Sequence, residues 1–244
     1  MIYYPIFLDV QQKPVLLVGG GHVALETIGT LIEHGADVTV VAPDLIPEVR
    51  EFVTAGRARW EQREFREGDT EGSFLVMVAT DNGAVNRTVA DEARSRKILV
   101  NAADDARNCD FILPALVRRG EIALASSTGG TSPAMARWLR ERLEEFMSDD
   151  VVTLAGLLAE VRVAIRAGDR ECAAKCTRAE TPPPLLCKEC PNRIPSDRWQ
   201  EAIDAELMTL INLGDMEAAK SHLVESLGRT ELQASPFWRE EARP

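Results

Sequence analysis

The sequence predicts an α/β protein: a doubly wound parallel sheet, then a short segment of hairpin and helix, then a small helical domain. Three observations predict it. The apolar run Val15-Leu16-Leu17-Val18 has no polar alternation and enters three glycines, after which a helical pattern begins. Such a run suits a strand buried on both faces. Strand-like and helix-like stretches then alternate over about 110 residues. Beyond residue 150 the apolar spacing is helical only.

Each element has its local reason. Residues 3–10 form a short apolar segment, expected to lie against the first strand or to cover a sheet edge. Residues 15–18 are strand one. Residues 24–34 are a helix with Ala24, Ile28, Leu31 and Ile32 on one face, stopped at Gly35. Residues 37–42 are strand two, ended by Pro43. A helix over 46–55, a short strand over 59–64 and a strongly apolar strand over 74–79 follow, the last breaking at Thr80-Asp81-Asn82-Gly83. Helix 85–95 and strand 98–101 complete the alternation, which identifies the unit as Rossmann-type.

Residues 111–118 and 121–126 then read as extended runs joined at Arg119-Gly120, a hairpin. Thr131 or Ser132 caps the next helix, Pro133 suits its first turn, and Met135, Leu139 and Leu143 share a face up to Met147. Leu154, Leu157, Leu158, Val161 and Ile165 mark a helix expected to stop at Gly168. Trp199, Ile203, Leu207, Leu210 and Ile211 mark a second, ending at Gly214. Asp215 caps a third, with Ala219, Leu223, Val224 and Leu227. The expected organisation is a dinucleotide domain over 1–113 and a dimerisation and cleft segment over 114–149. A helical domain over 150–229 carries a cysteine-rich insert at 169–197, and a polar tail covers 230–244.

Composition narrows the function classes. Hydrophobic residues make up 45% and charged residues 27%, ordinary for a globular chain. The formal net charge of −11 argues against nucleic acid or an anionic membrane as partner. No run approaches a membrane span, and residues 1–10 lack a basic leader and include Asp9. The expected compartment is the cytoplasm, where the five cysteines are thiols or metal ligands rather than disulfides.

The glycines read as Gly19-x-Gly21-x-x-Ala24, a form of the dinucleotide fingerprint. Glycine permits the tight turn and a close backbone approach, and the helix that follows points free N–H groups at an anion. The bland alternative is a glycine turn with no ligand. Strand two ends at Pro43-Asp44, where Asp44 stands slightly late for a ribose contact, so part of that recognition falls to backbone. No Lys or Arg stands beside it in sequence, which favours NAD over NADP. Thr80 and Asp81, at the end of a parallel strand, belong to the same ligand edge.

Two further stretches carry chemistry. Asn101 to Phe111 follows a strand and includes Asp104 and Asp105. An aspartate there can move a proton or hold a metal, or the stretch is only a solvated acidic loop. Ser127-Thr128-Gly129-Gly130-Thr131-Ser132 is a second glycine turn at a helix start, offering N–H groups and hydroxyls to anions. Between residues 114 and 147 five arginines, among them Arg118 and Arg137, face four glutamates. A polycarboxylate ligand needs such a local patch in an acidic chain, although a plain helix start with exposed arginines gives the same pattern. There is no nucleophilic triad. His22 exposes its ring in the glycine loop, and His34 and His222 read as surface helix residues.

Seven motifs occur in order: Tyr4-Pro5-Ile6-Phe7-Leu8-Asp9, Val18-Gly19-Gly20-Gly21-His22-Val23-Ala24, Val40-Val41-Ala42-Pro43, Ala79-Thr80-Asp81-Asn82 with Val85-Asn86, Val100-Asn101-Ala102-Ala103-Asp104-Asp105, Phe111-Ile112-Leu113-Pro114-Ala115, and Ser127-Thr128-Gly129-Gly130-Thr131-Ser132-Pro133. Together they closely resemble the precorrin-2 dehydrogenase/sirohydrochlorin ferrochelatase family, the N-terminal part of sirohaem synthase, over about residues 1–167. The resemblance implies a homodimer that binds a tetrapyrrole near a nicotinamide and oxidises precorrin-2 to sirohydrochlorin with NAD+. Insertion of Fe2+, as substrate, is the second activity found in such proteins. It also implies that Asp104 is the essential aspartate, with Asp105 its neighbour, and that His22, Val23, Pro43 and Asp44 contact the cofactor. Thr128 stands where some members carry Ser, which leaves the hydroxyl but puts Ser-specific regulation in doubt. A methyltransferase domain is not expected in a chain of 244 residues.

The insert departs from this resemblance. Cys172, Cys176, Cys187 and Cys190 place four thiols within nineteen residues. Paired cysteines at such spacing suit a structural Zn2+, four thiolates also suit an iron–sulfur cluster, and free or redox-active surface thiols are the bland alternative. Cys109 stands apart, a single thiol near the Asp104 loop. A reading of another class is a non-catalytic NAD-binding sensor whose insert reports redox state or metal.

Overall fold

The computed structural model describes residues 3–103, 106–174, 190 and 192–229. The chain divides into two compact units, Met1–Leu113 and Pro114–Pro244.

The first unit is a five-stranded sheet of order β3-β2-β1-β4-β5, with every pairing parallel. Its strands are β1 (Pro14–Val18), β2 (Asp37–Ala42), β3 (Ala58–Gln62), β4 (Leu75–Val78) and β5 (Leu99–Ala102). The register is in step along β1, where Val15 pairs with Val38 and Leu75, and Val18 with Val41 and Val78. Alternation along β1 feeds both faces. Val15 and Leu17 pack with α1 (His22–Glu33) and α2 (Pro47–Thr54), while Leu16 and Val18 pack with α3 (Gly83–Ser95). Covering both faces explains why these strands are continuously apolar.

The connection from β3 to β4 contains no helix, and α3 holds it in place. Glu92 accepts from the Thr70 hydroxyl at 2.5 Å, the Thr70 amide at 3.1 Å and the Gly68 amide at 3.0 Å, and pairs with Arg96 at 3.1 Å. Burial alone pushes the Glu92 carboxyl up. The Thr70 hydroxyl, the two amides and the Arg96 charge outweigh burial and hold its pKa below the ordinary value. Asp69, clasped by both ends of the Arg63 guanidinium at 2.6 and 2.9 Å, is lowered against burial in the same way.

In the second unit a two-stranded antiparallel hairpin, β6 (Ala115–Arg119) and β7 (Ile122–Ser126), precedes α4 (Pro133–Phe146). Ser132 caps α4 by accepting from the Met135 amide. The remaining helices are α5 (Asp149–Ala174), α6 (Ser196–Glu201), α7 (Ala205–Asn212) and α8 (Met216–Ser226). Leu157, Val161 and Ile165 of α5 pack with Leu207 and Ile211 of α7 and Leu223 of α8. No helix among the described residues is long and apolar enough to cross a membrane.

Three expectations are corrected. Gly168 does not stop α5, which continues to Ala174. Gly168 is absent from the left-handed conformations that a glycine stop needs, so it behaves as a weak helix residue. The stretch around Trp199 to Ile211 is two helices, because Asp204 takes extended backbone and caps α7 through the Leu207 amide. His222 is more than a surface residue: its Nε2 lies 2.9 Å from Asp204, tying α8 to that cap. The segment before β1 joins the core only through Val10, which shares a cluster with Val15 of β1, while Tyr4, Ile6 and Phe7 are exposed.

Candidate functional site

The glycine turn sits where the strand order reverses, between the ends of β2 and β4. Gly19 takes φ +120°, and a Cβ there would stand 2.3 Å from the Ala79 carbonyl oxygen. A Cβ on Gly20 would stand 2.2 Å from the Asp44 carbonyl oxygen. Backbone bonds fix the same wedge: the Gly19 amide donates to Val41 and the Ile46 amide to Gly20. Gly21 differs, because a Cβ there would meet nothing within 4 Å.

Gly21 is the N-cap of α1 and supplies no side-chain cap, and the first turn carries no acidic residue. The first bond within the helix comes from the Leu25 amide to Gly21. The amides of His22, Val23 and Ala24 therefore have no intrahelical acceptor. A bare helix start beside an open glycine fits a pyrophosphate. His22 and Val23 are exposed on this turn, as are Pro43 and Asp44 after β2.

The turn after β4 is built to hold its shape. Thr80 donates from its hydroxyl to Asn86 Oδ1 at 2.7 Å, and Asn86 Nδ2 donates back to the Thr80 carbonyl at 3.1 Å. Asn82 caps α3 by accepting from the Ala84 and Val85 amides. Asp81 lies exposed between them. The structure thus brings Gly19, Gly21, His22, Val23, Pro43, Asp44, Thr80 and Asp81 to one carboxyl edge of the sheet. Sequence reasoning missed the buried Asn86 as the fastener, although an Asn at that offset from Thr80 was part of the motif. It also missed Arg50. That guanidinium sits 4.8 Å above the Trp60 ring, whose Nε1 donates to the Ala42 carbonyl, so a cation does stand near the end of β2.

Asp104 and Asp105 lie outside the described residues, but both flanks are tied down. The Ala103 amide donates to Val78 at 2.9 Å. On the other side Asp110 lies along the open edge of β5. Its amide donates to the Val100 carbonyl at 2.8 Å, and its carboxylate accepts from the Val100 amide at 3.1 Å and from Arg94 Nε at 2.9 Å. Arg94 also donates to the Arg107 carbonyl at 3.2 Å, and Asn101 Nδ2 donates to the Phe111 carbonyl at 2.8 Å. The Cys109 thiol donates to the Ala102 carbonyl at 3.0 Å.

In the second unit, Gly129 and Gly130 take φ +62° and +81° and form the turn into α4. The hydroxyls predicted to face an anion are engaged within the turn. Ser127 accepts from the Gly129 amide, Thr128 donates to the Ser132 carbonyl, Thr131 donates to the Thr128 carbonyl, and Ser132 caps α4. Arg118 reaches the Gly120 carbonyl through Nε at 3.2 Å, and Arg137 is exposed on α4. Among the insert cysteines, Cys176, Cys187 and the Cys172 side chain lie outside the described residues, and Cys190 is half-buried. Among the described residues no group of three or more His, Cys, Asp or Glu could hold a metal ion.

Comparison with known proteins adds the following. Residues 6–115 match the sequence family described as "Putative NAD(P)-binding". The siroheme synthase of Methylococcus capsulatus is 35% identical over 238 residues, 98% of this chain and 46% of that protein. That of Photorhabdus laumondii is 33% identical over 233 residues, 96% of this chain and 45% of that protein. Siroheme synthase 1 of Cronobacter sakazakii is 42% identical over 166 residues, 68% of this chain and 34% of that protein. The chain thus spans about half the length or less of these curated relatives. Among solved structures, the precorrin-2 dehydrogenase SirC superposes with a TM-score of 0.67 at 27% identity, covering 91% of this chain and all of that one.

Proposed function

Because the chain belongs to the family of precorrin-2 dehydrogenases and of the N-terminal part of siroheme synthases, we propose that it oxidises precorrin-2 to sirohydrochlorin with NAD+. The observation that carries the reading is the glycine turn: Gly19 and Gly20 are wedged against neighbouring strands, while Gly21 and the uncapped start of α1 stay open. NAD+ bound there supplies the hydride acceptor. Two hydrogens leave the macrocycle, one as hydride and one as a proton, and Asp104 takes the proton. The Thr80–Asn86 pair and the Arg94–Asp110 pair hold the loops on either side of that chemistry. His22 and Val23 shape the pyrophosphate contact, and Pro43 and Asp44 the ribose contact. The turn from Ser127 to Ser132, with Arg118 and Arg137, contributes backbone N–H groups and positive charge for the substrate's carboxylates.

Anaerobic incubation of the purified protein with precorrin-2 and NAD+ tests this. NADH and sirohydrochlorin form together, and Asp104→Ala abolishes both. Absence of NADH from the wild type, or an undiminished rate in the variant, overturns the reading. Insertion of Fe2+ into sirohydrochlorin belongs to the same proposal, with Asp104 as the base for the ring N–H protons. Adding Fe2+ or Co2+ to sirohydrochlorin measures it separately.

The working unit is a homodimer. No residue of α4 is buried within one chain, and Met135, Trp138 and Phe146 are exposed on it. A second copy is the occupant we assign to that face. Sedimentation gives twice the chain mass, and Trp138→Glu lowers it to the monomer.

The insert is proposed to hold a structural Zn2+. Arg229 Nη2 donates to the Asn192 carbonyl at 2.6 Å and stands 3.5 Å from Asp169 Oδ1. One guanidinium thus gathers Asp169, before the first of the four cysteines, and Asn192, after the last. Metal analysis of the wild type against a Cys187→Ser/Cys190→Ser variant tests it, and equal content in both contradicts it.

A further inference from the structure

In the first unit an open cleft of about 660 Å³ lies between α3 and the 3-10 turn Ala106–Asn108. It is lined by Gly83, Arg87, Asp91, Arg107 and Asn108. Gly83 begins α3 just past β4, and Arg107 stands in the turn just past β5. One end of the cleft is therefore at the carboxyl edge of the sheet, where such folds bind ligands.

Most other arginines of the unit are engaged by a carboxylate or a ring. Arg59, Arg63, Arg94 and Arg96 each pair with a carboxylate. Arg50 and Arg57 lie over aromatic rings. The Arg87 and Arg107 guanidiniums make no ion pair or ring contact with any other described residue, yet both line one cleft in a chain of net charge −11. Residues 87, 91 and 94 share a face of α3. From that face Arg94 holds the Arg107 carbonyl and the Asp110 carboxylate, so the backbone of the turn is anchored while the Arg107 side chain is left available.

We propose that Arg87 and Arg107 form a carboxylate-binding subsite for the peripheral carboxylates of a polycarboxylate tetrapyrrole. The substrate class rests on the function proposed above; the positions of the two guanidiniums do not. Arginine suits this task because its planar fork meets a carboxylate bidentately. A concentrated pair of guanidiniums also overcomes the repulsion that an acidic protein exerts on a polyanion. Asp91 also lines the cleft and disfavours a carboxylate placed beside it. A ligand with well-separated carboxylates reaches both guanidiniums and clears it.

The test uses the full chain and two stable probes: uroporphyrin, with eight carboxylates, and coproporphyrin, with four. Wild type binds uroporphyrin more tightly than coproporphyrin, and added salt weakens the binding. Arg87→Gln/Arg107→Gln lowers uroporphyrin affinity at least about tenfold, the scale of one lost charge-assisted pair, and leaves NAD+ affinity unchanged. Arg87→Lys/Arg107→Lys, which keeps the charge but not the planar fork, recovers only part of the loss. With precorrin-2 as substrate, the glutamine variant raises KM by a similar factor, with a smaller change in kcat. Wild-type uroporphyrin affinity in the glutamine variant, or a parallel fall in NAD+ affinity, overturns the subsite. Loss of porphyrin binding in a protein whose wild type never forms NADH keeps the subsite and removes the proposed function. NADH formation with unchanged KM in the variant removes the subsite alone.

Discussion

Replacing Gly21 and Gly19 one at a time by alanine separates ligand recognition from folding within three residues. At Gly19 the added Cβ would lie 2.3 Å from the Ala79 carbonyl oxygen and 2.7 Å from its carbon, on a backbone of φ +120°. A side chain in that conformation costs about 1–3 kcal/mol before the clash is relieved. Gly19→Ala therefore destabilises the protein by at least about 2 kcal/mol, or about 4–8 °C in Tm for a chain of this size. At Gly21 the new methyl meets no protein atom within 4 Å and φ is −92°. The fold loses only about 0.5–1 kcal/mol, the difference between Gly and Ala at an N-cap, and Tm moves by about 1–4 °C. That methyl points into the space through which the pyrophosphate approaches the α1 amides. NAD+ affinity falls about tenfold or more, equivalent to about 1.4 kcal/mol. Thermal unfolding with and without NAD+, together with calorimetric titration, measures both quantities. Wild-type NAD+ affinity in a well-folded Gly21→Ala protein would refute the assignment of this turn to the cofactor.

Three further outcomes follow from other parts of the structure. Glu92→Ala leaves the Thr70 and Gly68 donors unpaired and costs about 3 kcal/mol at neutral pH. Because the folded-state pKa of Glu92 is lowered, its stabilisation is complete above the unfolded value near 4.3 and is lost as pH falls through the folded value. Urea midpoints of wild type and variant therefore converge at acid pH, and a gap that stays constant from pH 7 to 3 contradicts this. Asn82→Ala removes the cap of α3 and costs about 1 kcal/mol by the same assay. Gly168→Ala, inside α5 with nothing within 4 Å of the new methyl, stabilises by about 0.5–1 kcal/mol, whereas a helix end at that position would make it destabilising.

The sheet was legible because its strands are buried on both faces. Val15 to Val18 and Leu75 to Val78 need no polar alternation, and the short elements between them leave few other ways to pack. The glycine turn was legible because steric demand falls on residue type: Gly19 and Gly20 have no room for a Cβ. What escaped were features set by partners distant in sequence. The course of α5 past Gly168 is accompanied by burial of Ala173 and by Arg229, sixty residues on, reaching Asp169, contacts no local pattern announces. The break at Asp204 reads equally well as a polar face of one helix until its carboxylate is seen on the Leu207 amide and His222. The Glu92 clasp spans 22 residues to Thr70, and no periodicity announces it. At the candidate site, the motif residues supplied the edge of the sheet, while the cleft between Arg87 and Arg107 emerged only when α3 met the turn after β5.

The most direct measurement is the yield of NADH when a limiting, known amount of precorrin-2 is added anaerobically to the protein with excess NAD+. The account predicts one NADH for each precorrin-2 supplied, appearing together with sirohydrochlorin and absent from the Asp104→Ala protein. Precorrin-2 and NAD+ both bound, with no absorbance gained at the NADH band, would contradict it.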